Sequence, residues 1–200
     1  MINVIIDESL IPIDKKILRL IVCCVEYETN SMNEEFKKIS DLINDPIRFK
    51  KSGDKVHYAN MIPLQKNLLV ELISKLSITV KIYIYYRADI NDNKFKLYGI
   101  KKTIDHLNHI HKNKLNKISL EPTEEYENTN ISKYMDRSID KYMYLVPDIL
   151  SGTFSDYLSD TQKIKKDIIV NYDLLREKIR LQYFNIKVNS EQYLIRDKKI

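Results

Sequence analysis

Asp7 and Glu8 follow an apolar run, Ile2-Asn3-Val4-Ile5-Ile6. A carboxylate held by a strand is fixed more firmly than one on a loop, and open α/β sheets collect ligands at strand carboxyl ends. Two further acids stand in comparable places. Glu121 closes the segment 116–121, and Asp148 lies inside an apolar stretch, Tyr144-Leu145-Val146-Pro147-Asp148-Ile149-Leu150. An unpartnered carboxylate there would be expensive to bury. Hard oxygen donors of this kind suit Mg²⁺ or Mn²⁺, which keeps several waters and needs few protein ligands. Two such ions, roughly 3.5–4 Å apart, activate water and steady the leaving oxygen in phosphodiester cleavage. Each acid also has a plainer reading. Acids commonly follow strands, and Asp148 just after Pro147 suits a helix N-terminus, where the dipole favours negative charge.

The other candidates are weaker. His57 sits in an irregular segment, as a proton shuttle, a phosphate contact or a turn histidine. His106, His109 and His111 fall on one helical stretch, with His106 and His109 on one face. They lack the HExxH pattern, so zinc is not expected. Glu124, Glu125 and Glu127 read as solvated, and Tyr83, Tyr85 and Tyr86 as strand packing, with base stacking as the alternative. Cys23 and Cys24 are neighbours in an apolar run. Strand neighbours point to opposite faces, so no disulfide is expected between them, and both read as small buried hydrophobes.

The elements that must hold these residues follow from periodicity. Residues 2–6 and 17–27 read as strands close enough for an antiparallel hairpin, the second apolar enough to be covered on both faces. Ser31 with Glu34 forms a capping-box pattern ahead of a helix to about Ile43. Residues 46–61 are irregular. A helix spans about 62–76, a strand 78–86, a helix about 97–113 and a short strand 116–121. Residues 141–158 read as an apolar helix started or interrupted at Pro147. The stripe Ile164, Ile168, Tyr172, Leu175, Ile179, Tyr183 predicts a last helix over 163–184. Strands alternating with helices argue an α/β domain with a mixed sheet.

Composition agrees with a globular domain. Of 200 residues, 44% are hydrophobic and 30% charged, and only 3 are glycine, which argues against phosphate-cradling glycine loops. The net charge of +5 is concentrated at one end. Residues 161–200 hold 10 Lys/Arg against 5 acids, and the first 160 are neutral. A basic tail suits an anionic partner such as nucleic acid, though mixed-sign helix faces are often merely solvated. The chain shows no signal-peptide pattern and no membrane-spanning apolar stretch, so a cytoplasmic protein is expected.

Several of these residues together resemble a family known as domain of unknown function 3800. Ile5-Ile6-Asp7-Glu8-Ser9 resembles its opening strand and Asp-Glu-Ser motif. Asp136-Arg137-Ser138 and the stretch Tyr144–Gly152 resemble its closing motifs, and Lys55-Val56-His57 its middle one. The likeness covers about residues 2–158. Leu10 replaces a usual Gly, Lys55 a usual acid, Pro147 an Ala, and Glu121 stands where Asp is more usual. The resemblance implies a ribonuclease-H-like α/β fold, a mixed sheet flanked by helices, over residues 1–160. A basic C-terminal helix and tail, 161–200, would pack on it. It implies a metal site of Asp7, Glu121 and Asp148, with Glu8 as auxiliary ligand and His57 as helper. Two functions are compatible with it. One is a Mg²⁺- or Mn²⁺-dependent nuclease whose C-terminal helix tracks the phosphate backbone. The other is a degenerate relative, permitted by the missing acid at position 55, that binds nucleic acid, a protein partner or a second copy through helix 163–184, as in phage defence or a mobile element.

Overall fold

The computed structural model describes residues 1–12, 17–28, 32–45, 49, 56–88, 92–159, 166–185 and 198–199. Ser31 and Lys55, both singled out above, lie outside them. In chain order the elements are β1 (Ile2–Pro12), β2 (Ile17–Glu28), α1 (Met32–Asn44), a 3-10 turn (Tyr58–Asn60) and α2 (Pro63–Ser74). There follow β3 (Thr79–Ala88), α3 (Asp92–His111), β4 (Leu115–Leu120), α4 (Lys141–Ser159), α5 (Lys166–Leu175), β5 (Ile179–Asn185) and β6 (Lys198–Lys199).

The strands form one mixed sheet in the order β4-β1-β2-β3-β5-β6. The first three make an antiparallel meander, as the hairpin reading expected. β4 runs parallel to β1 and β5 parallel to β3. Strand alternation divides the core into two layers. Ile5, Ile21, Cys23, Val25, Val80 and Ile82 pack with residues of α1, α2, α4 and α5. Val4, Ile6, Leu20, Val22, Cys24, Tyr83 and Tyr85 pack with α3. Cys23 and Cys24 are free and buried, one in each layer.

Three expectations need correction. β1 does not end at Asp7 but continues to Pro12, paired with β2 throughout. What ends there is its pairing with β4, at Ile6 and Leu120. α4 runs unbroken through Pro147, so Asp148 stands mid-helix and the helix-dipole reading falls. The helix over 163–184 stops at Leu175, and a 3-10 turn at Arg176–Lys178 leads into β5. Ile179 and Tyr183 match a helical stripe, yet Ile179, Leu181 and Tyr183 also alternate. The ladder against β3 decides between the two periods. Residues 179–185 therefore extend the sheet rather than continue a helix. Tyr172 and Leu175 are buried in the core, and Tyr172 stacks on Tyr157 at 3.9 Å, so these two members of the stripe pack within the chain.

Among the described residues no helix is long and apolar enough to cross a membrane. In the α3 layer the Tyr85 hydroxyl and Thr103 Oγ1 hydrogen-bond at 2.7 Å, both buried. Tyr85→Phe removes that bond inside a buried layer. It is expected to lower the free energy of urea unfolding by about 1–2 kcal/mol with an unchanged m-value.

Candidate metal centre

The register places the acids. Ile6 pairs with Leu120, so the next step along the parallel ladder sets Asp7 beside Glu121, where β4 stops. Asp7 shares the face of Ile5, and Glu121 that of Ser119, so both face the layer of α1, α2 and α4. α4 lies across β1 and β2 on this face and carries Asp148. The three carboxylates singled out from sequence thus lie on one face, within electrostatic reach of one another.

Their electrostatics agree with the register. Burial, then the charges of Glu8, Asp148 and Glu121, push the Asp7 carboxyl well above the usual carboxylate range, against a hydrogen bond to the Glu8 backbone. The charges acting most strongly on Asp7 are all negative. Asp148 is also raised by burial and by Glu121, while the Tyr58 N–H, His57 and Lys66 pull it down. Beneath them the Cys23 thiol, the register partner of Asp7, is pushed up by burial, Cys24, Asp7 and Asp148.

His57 is brought to the group. Its Nδ1 stands 3.8 Å from Asp148 Oδ2, and the imidazole is about half exposed, at 46%. The next residue's N–H, Tyr58 N, donates to the same oxygen at 2.8 Å. Both contacts fall on Oδ2, and Oδ1 takes part in neither. Nothing in the residue types announced Tyr58. Its only local signal is its place after His57.

Glu8 is not brought to the group. As the strand neighbour of Asp7 it points into the α3 layer, where Lys96 Nζ meets its Oε1 at 2.6 Å. Burial raises its carboxyl and Lys96 offsets part of the rise. The auxiliary-ligand role is therefore withdrawn. Lys96 also holds Glu125 at 2.7 Å, so that acid is paired rather than simply solvated. Glu127 pairs with Arg137 at 3.0 Å on the surface, and Glu124 is exposed. The histidines of α3 part company. His106 meets the Tyr83 hydroxyl at 3.0 Å, His111 meets Glu26 at 2.6 Å and Lys81 at 3.1 Å, and His109 is exposed. Tyr83 and Tyr85 are buried and Tyr86 packs on the opposite core layer, which is strand packing.

The carboxylate of the Asp136-x-Ser138 motif is engaged within the chain. Asp136 Oδ1 accepts the Ser138 N–H at 2.9 Å and its hydroxyl at 2.6 Å, and Oδ2 accepts Ser119 Oγ and pairs with Lys117. Burial pushes this carboxyl up, but the bonds from Lys117 and Ser138 outweigh it and hold it at about 2. The Tyr144 hydroxyl donates to the Asp136 carbonyl at 2.7 Å, tying this clamp to α4.

As they are placed, no three Asp, Glu, His or Cys side chains among the described residues stand together at ion-ligating distance. Like-charged carboxylates without a counter-ion repel, and a divalent cation among them would draw them in. The donor set is all carboxylate oxygen around a negatively surrounded Asp7, which fits Mg²⁺ or Mn²⁺ and not zinc. Comparison of the chain with protein-family models gives no match, and comparison with curated proteins gives none either.

Proposed function

We propose that this protein is a divalent-metal-dependent nuclease of ribonuclease-H-like fold, with Asp7, Glu121 and Asp148 as the ligands of Mg²⁺ or Mn²⁺. One observation carries the reading: acids from β1, the end of β4 and α4 share one face, and the charges that act most strongly on Asp7 are those of Glu8, Asp148 and Glu121, all negative. A mixed sheet whose meander is extended by a strand parallel to β1 supports the fold assignment. When bound, a divalent cation supplies charge stabilisation on phosphoryl oxygens and makes water a better nucleophile near neutral pH. The chain's own residues do the rest. Asp7 is held within β1 and Glu121 directly follows the last residue of β4, so the backbone of both is anchored by the sheet while their carboxylates close on the ion. His57, beside Asp148 and open to solvent, is placed to hold a proton near the scissile phosphate. Arg176, exposed in the turn before β5, is a basic residue available to a phosphate backbone, whereas Lys178 is engaged with the Leu76 carbonyl.

A catalytically silent binding role is the second reading. The observation favouring it is that the carboxylates do not already stand at ligating distance. One experiment decides between them. Purified protein is incubated with Mn²⁺ and labelled single- and double-stranded DNA and RNA. The nuclease reading expects cleavage that Asp7→Ala and Asp148→Ala each lower by more than about 100-fold, beyond the loss typical of an outer partner of a metal site. No cleavage of any substrate, or equal cleavage by Asp7→Ala, would leave the binding role.

A further inference from the structure

Asp148 and His57 belong to different elements, so their contact depends on how the turn at Tyr58–Asn60 is docked onto α4. Tyr58 makes that docking through three parts of one residue. Its N–H donates to Asp148 Oδ2 at 2.8 Å. Its ring lies on α4 at Gly152, where an added Cβ would stand 2.1 Å from ring Cδ1 and 2.5 Å from Cγ. Its hydroxyl donates to Asp156 Oδ2 at 2.7 Å. Asp148, Gly152 and Asp156 are spaced four residues apart, so they form one stripe along α4. Tyr58 is laid along that stripe from end to end. Lys66, from α2, closes it from outside. Its Nζ stands 3.8 Å from the ring centroid and 3.6 Å from Asp156 Oδ2.

We infer that Tyr58 is a positioning residue of the metal centre: it fixes Asp148 with one carboxylate oxygen occupied and the other left for the ion, and it sets His57 beside it. This rests on the reading of Asp7, Glu121 and Asp148 as metal ligands. A metal-ligating carboxylate is oriented by the hydrogen bond its other oxygen accepts. Here that bond comes from a backbone N–H, and the backbone can stay in place only while the ring and hydroxyl are anchored. The glycine is part of the device. At position 152 any side chain would meet the ring itself, which is rigid and buried, and would lift the turn from the helix. The Asp148-x-x-x-Gly152 spacing then has a physical meaning: the carboxylate ligates, and one helical turn later the missing side chain makes room for the residue that aims it.

An ordinary core tyrosine would affect folding and nothing else, so the test reads metal affinity on folded protein. Mn²⁺ alone is titrated into the full chain by calorimetry, well below each variant's unfolding midpoint, with circular dichroism confirming the fold. Gly152→Ala is expected to bind Mn²⁺ about tenfold more weakly or worse. A loss of about fivefold or more supports the inference, and a smaller loss in folded protein overturns it. Should Gly152→Ala not fold, Tyr58→Phe decides, since it keeps the ring and removes only the link to Asp156. A measurable loss of affinity then supports the inference, and unchanged affinity overturns it. Wild-type protein that binds no Mn²⁺ overturns the metal reading and this inference with it. Wild-type binding with unaltered variants overturns this inference alone.

Discussion

Asp7→Asn is expected to raise the unfolding midpoint of the metal-free protein at neutral pH and to abolish its stabilisation by Mn²⁺. Burial and the charges of Glu8, Asp148 and Glu121 all push the Asp7 carboxyl up. A carboxyl raised in the native state binds its proton more tightly there than in the unfolded chain. The associated stability is complete below the unfolded value, near 3.8, and is lost as pH rises through the native value. Ionising Asp7 among these acids costs more in the native protein than in the unfolded chain, and the neutral amide of the variant removes that cost. Active-site relief of this kind contributes about 0.5–2 kcal/mol, and each kcal/mol shifts the midpoint by about 2–4 °C in a chain of this size. The gap between variant and wild type should narrow as pH falls towards 4, where Asp7 is protonated in the native state and begins to be so in the unfolded chain. Asp148 is raised for the same reasons, so Asp148→Asn should share the sign, less the cost of weakening its bond from Tyr58. With Mn²⁺ at about 100 times its dissociation constant, wild type should gain about 2.7 kcal/mol and the variant nearly nothing. Thermal melts from pH 4 to 8, with and without Mn²⁺, check both halves. A variant less stable than wild type at pH 7 without metal would show that Asp7 is engaged by a partner rather than crowded by acids.

Much of this centre is legible in the sequence because its parts sit on elements with strong periodicity. The run at 17–27 and the alternation at 78–86 specify two central strands. Once β1 pairs in parallel with β4, the ends of two apolar runs place Asp7 and Glu121 side by side. Where the reading fails, a local pattern is overruled by a distant partner. Residues 179–185 satisfy both a helical and a strand period, and β3, about 100 residues earlier in the ladder, selects the strand. Pro147 reads as a helix boundary, but the apolar residues on both sides are buried against β1 and β2, and that burial carries the helix through the proline. Tyr58 is illegible from its type. Its importance appears only when Gly152, 94 positions later, lies under its ring. Glu8 is a different kind of miss. The alternation that separates Cys23 from Cys24 separates Asp7 from Glu8 equally, so the information was present in the strand itself.

Glu8 also carries the second large expected effect, through its partner. Lys96→Met is expected to destabilise the protein by about 2–3 kcal/mol at pH 7, below the 3–5 kcal/mol typical when one member of a fully buried ion pair is removed. The discount reflects exposure: the Lys96 side chain is 18% exposed and that of Glu8 11%. Lys96 spans Glu8 and Glu125, so its removal leaves two acids facing each other in the α3 layer beside the buried Tyr126 ring. Glu8 is already raised by burial, and losing Lys96 removes the charge that holds it down. By the same linkage as at Asp7, the cost in the variant should be greatest at pH 7–8. It should shrink as pH falls towards the ordinary glutamate value of 4.5, where Glu8 takes up a proton. Glu8→Gln in the Lys96→Met background should recover most of the loss, because an amide needs no counter-ion. The same pair separates the two faces of β1. Were Glu8 a ligand of the ion, Glu8→Gln would depress Mn²⁺ affinity as severely as Asp7→Asn. Its place opposite Lys96, across the strand from Asp148, predicts a change in stability while Mn²⁺ affinity stays within about threefold of wild type, far short of the loss expected from an oriented ligand. Calorimetric titration of the two variants side by side reads that difference directly, and equal losses would return Glu8 to the metal centre.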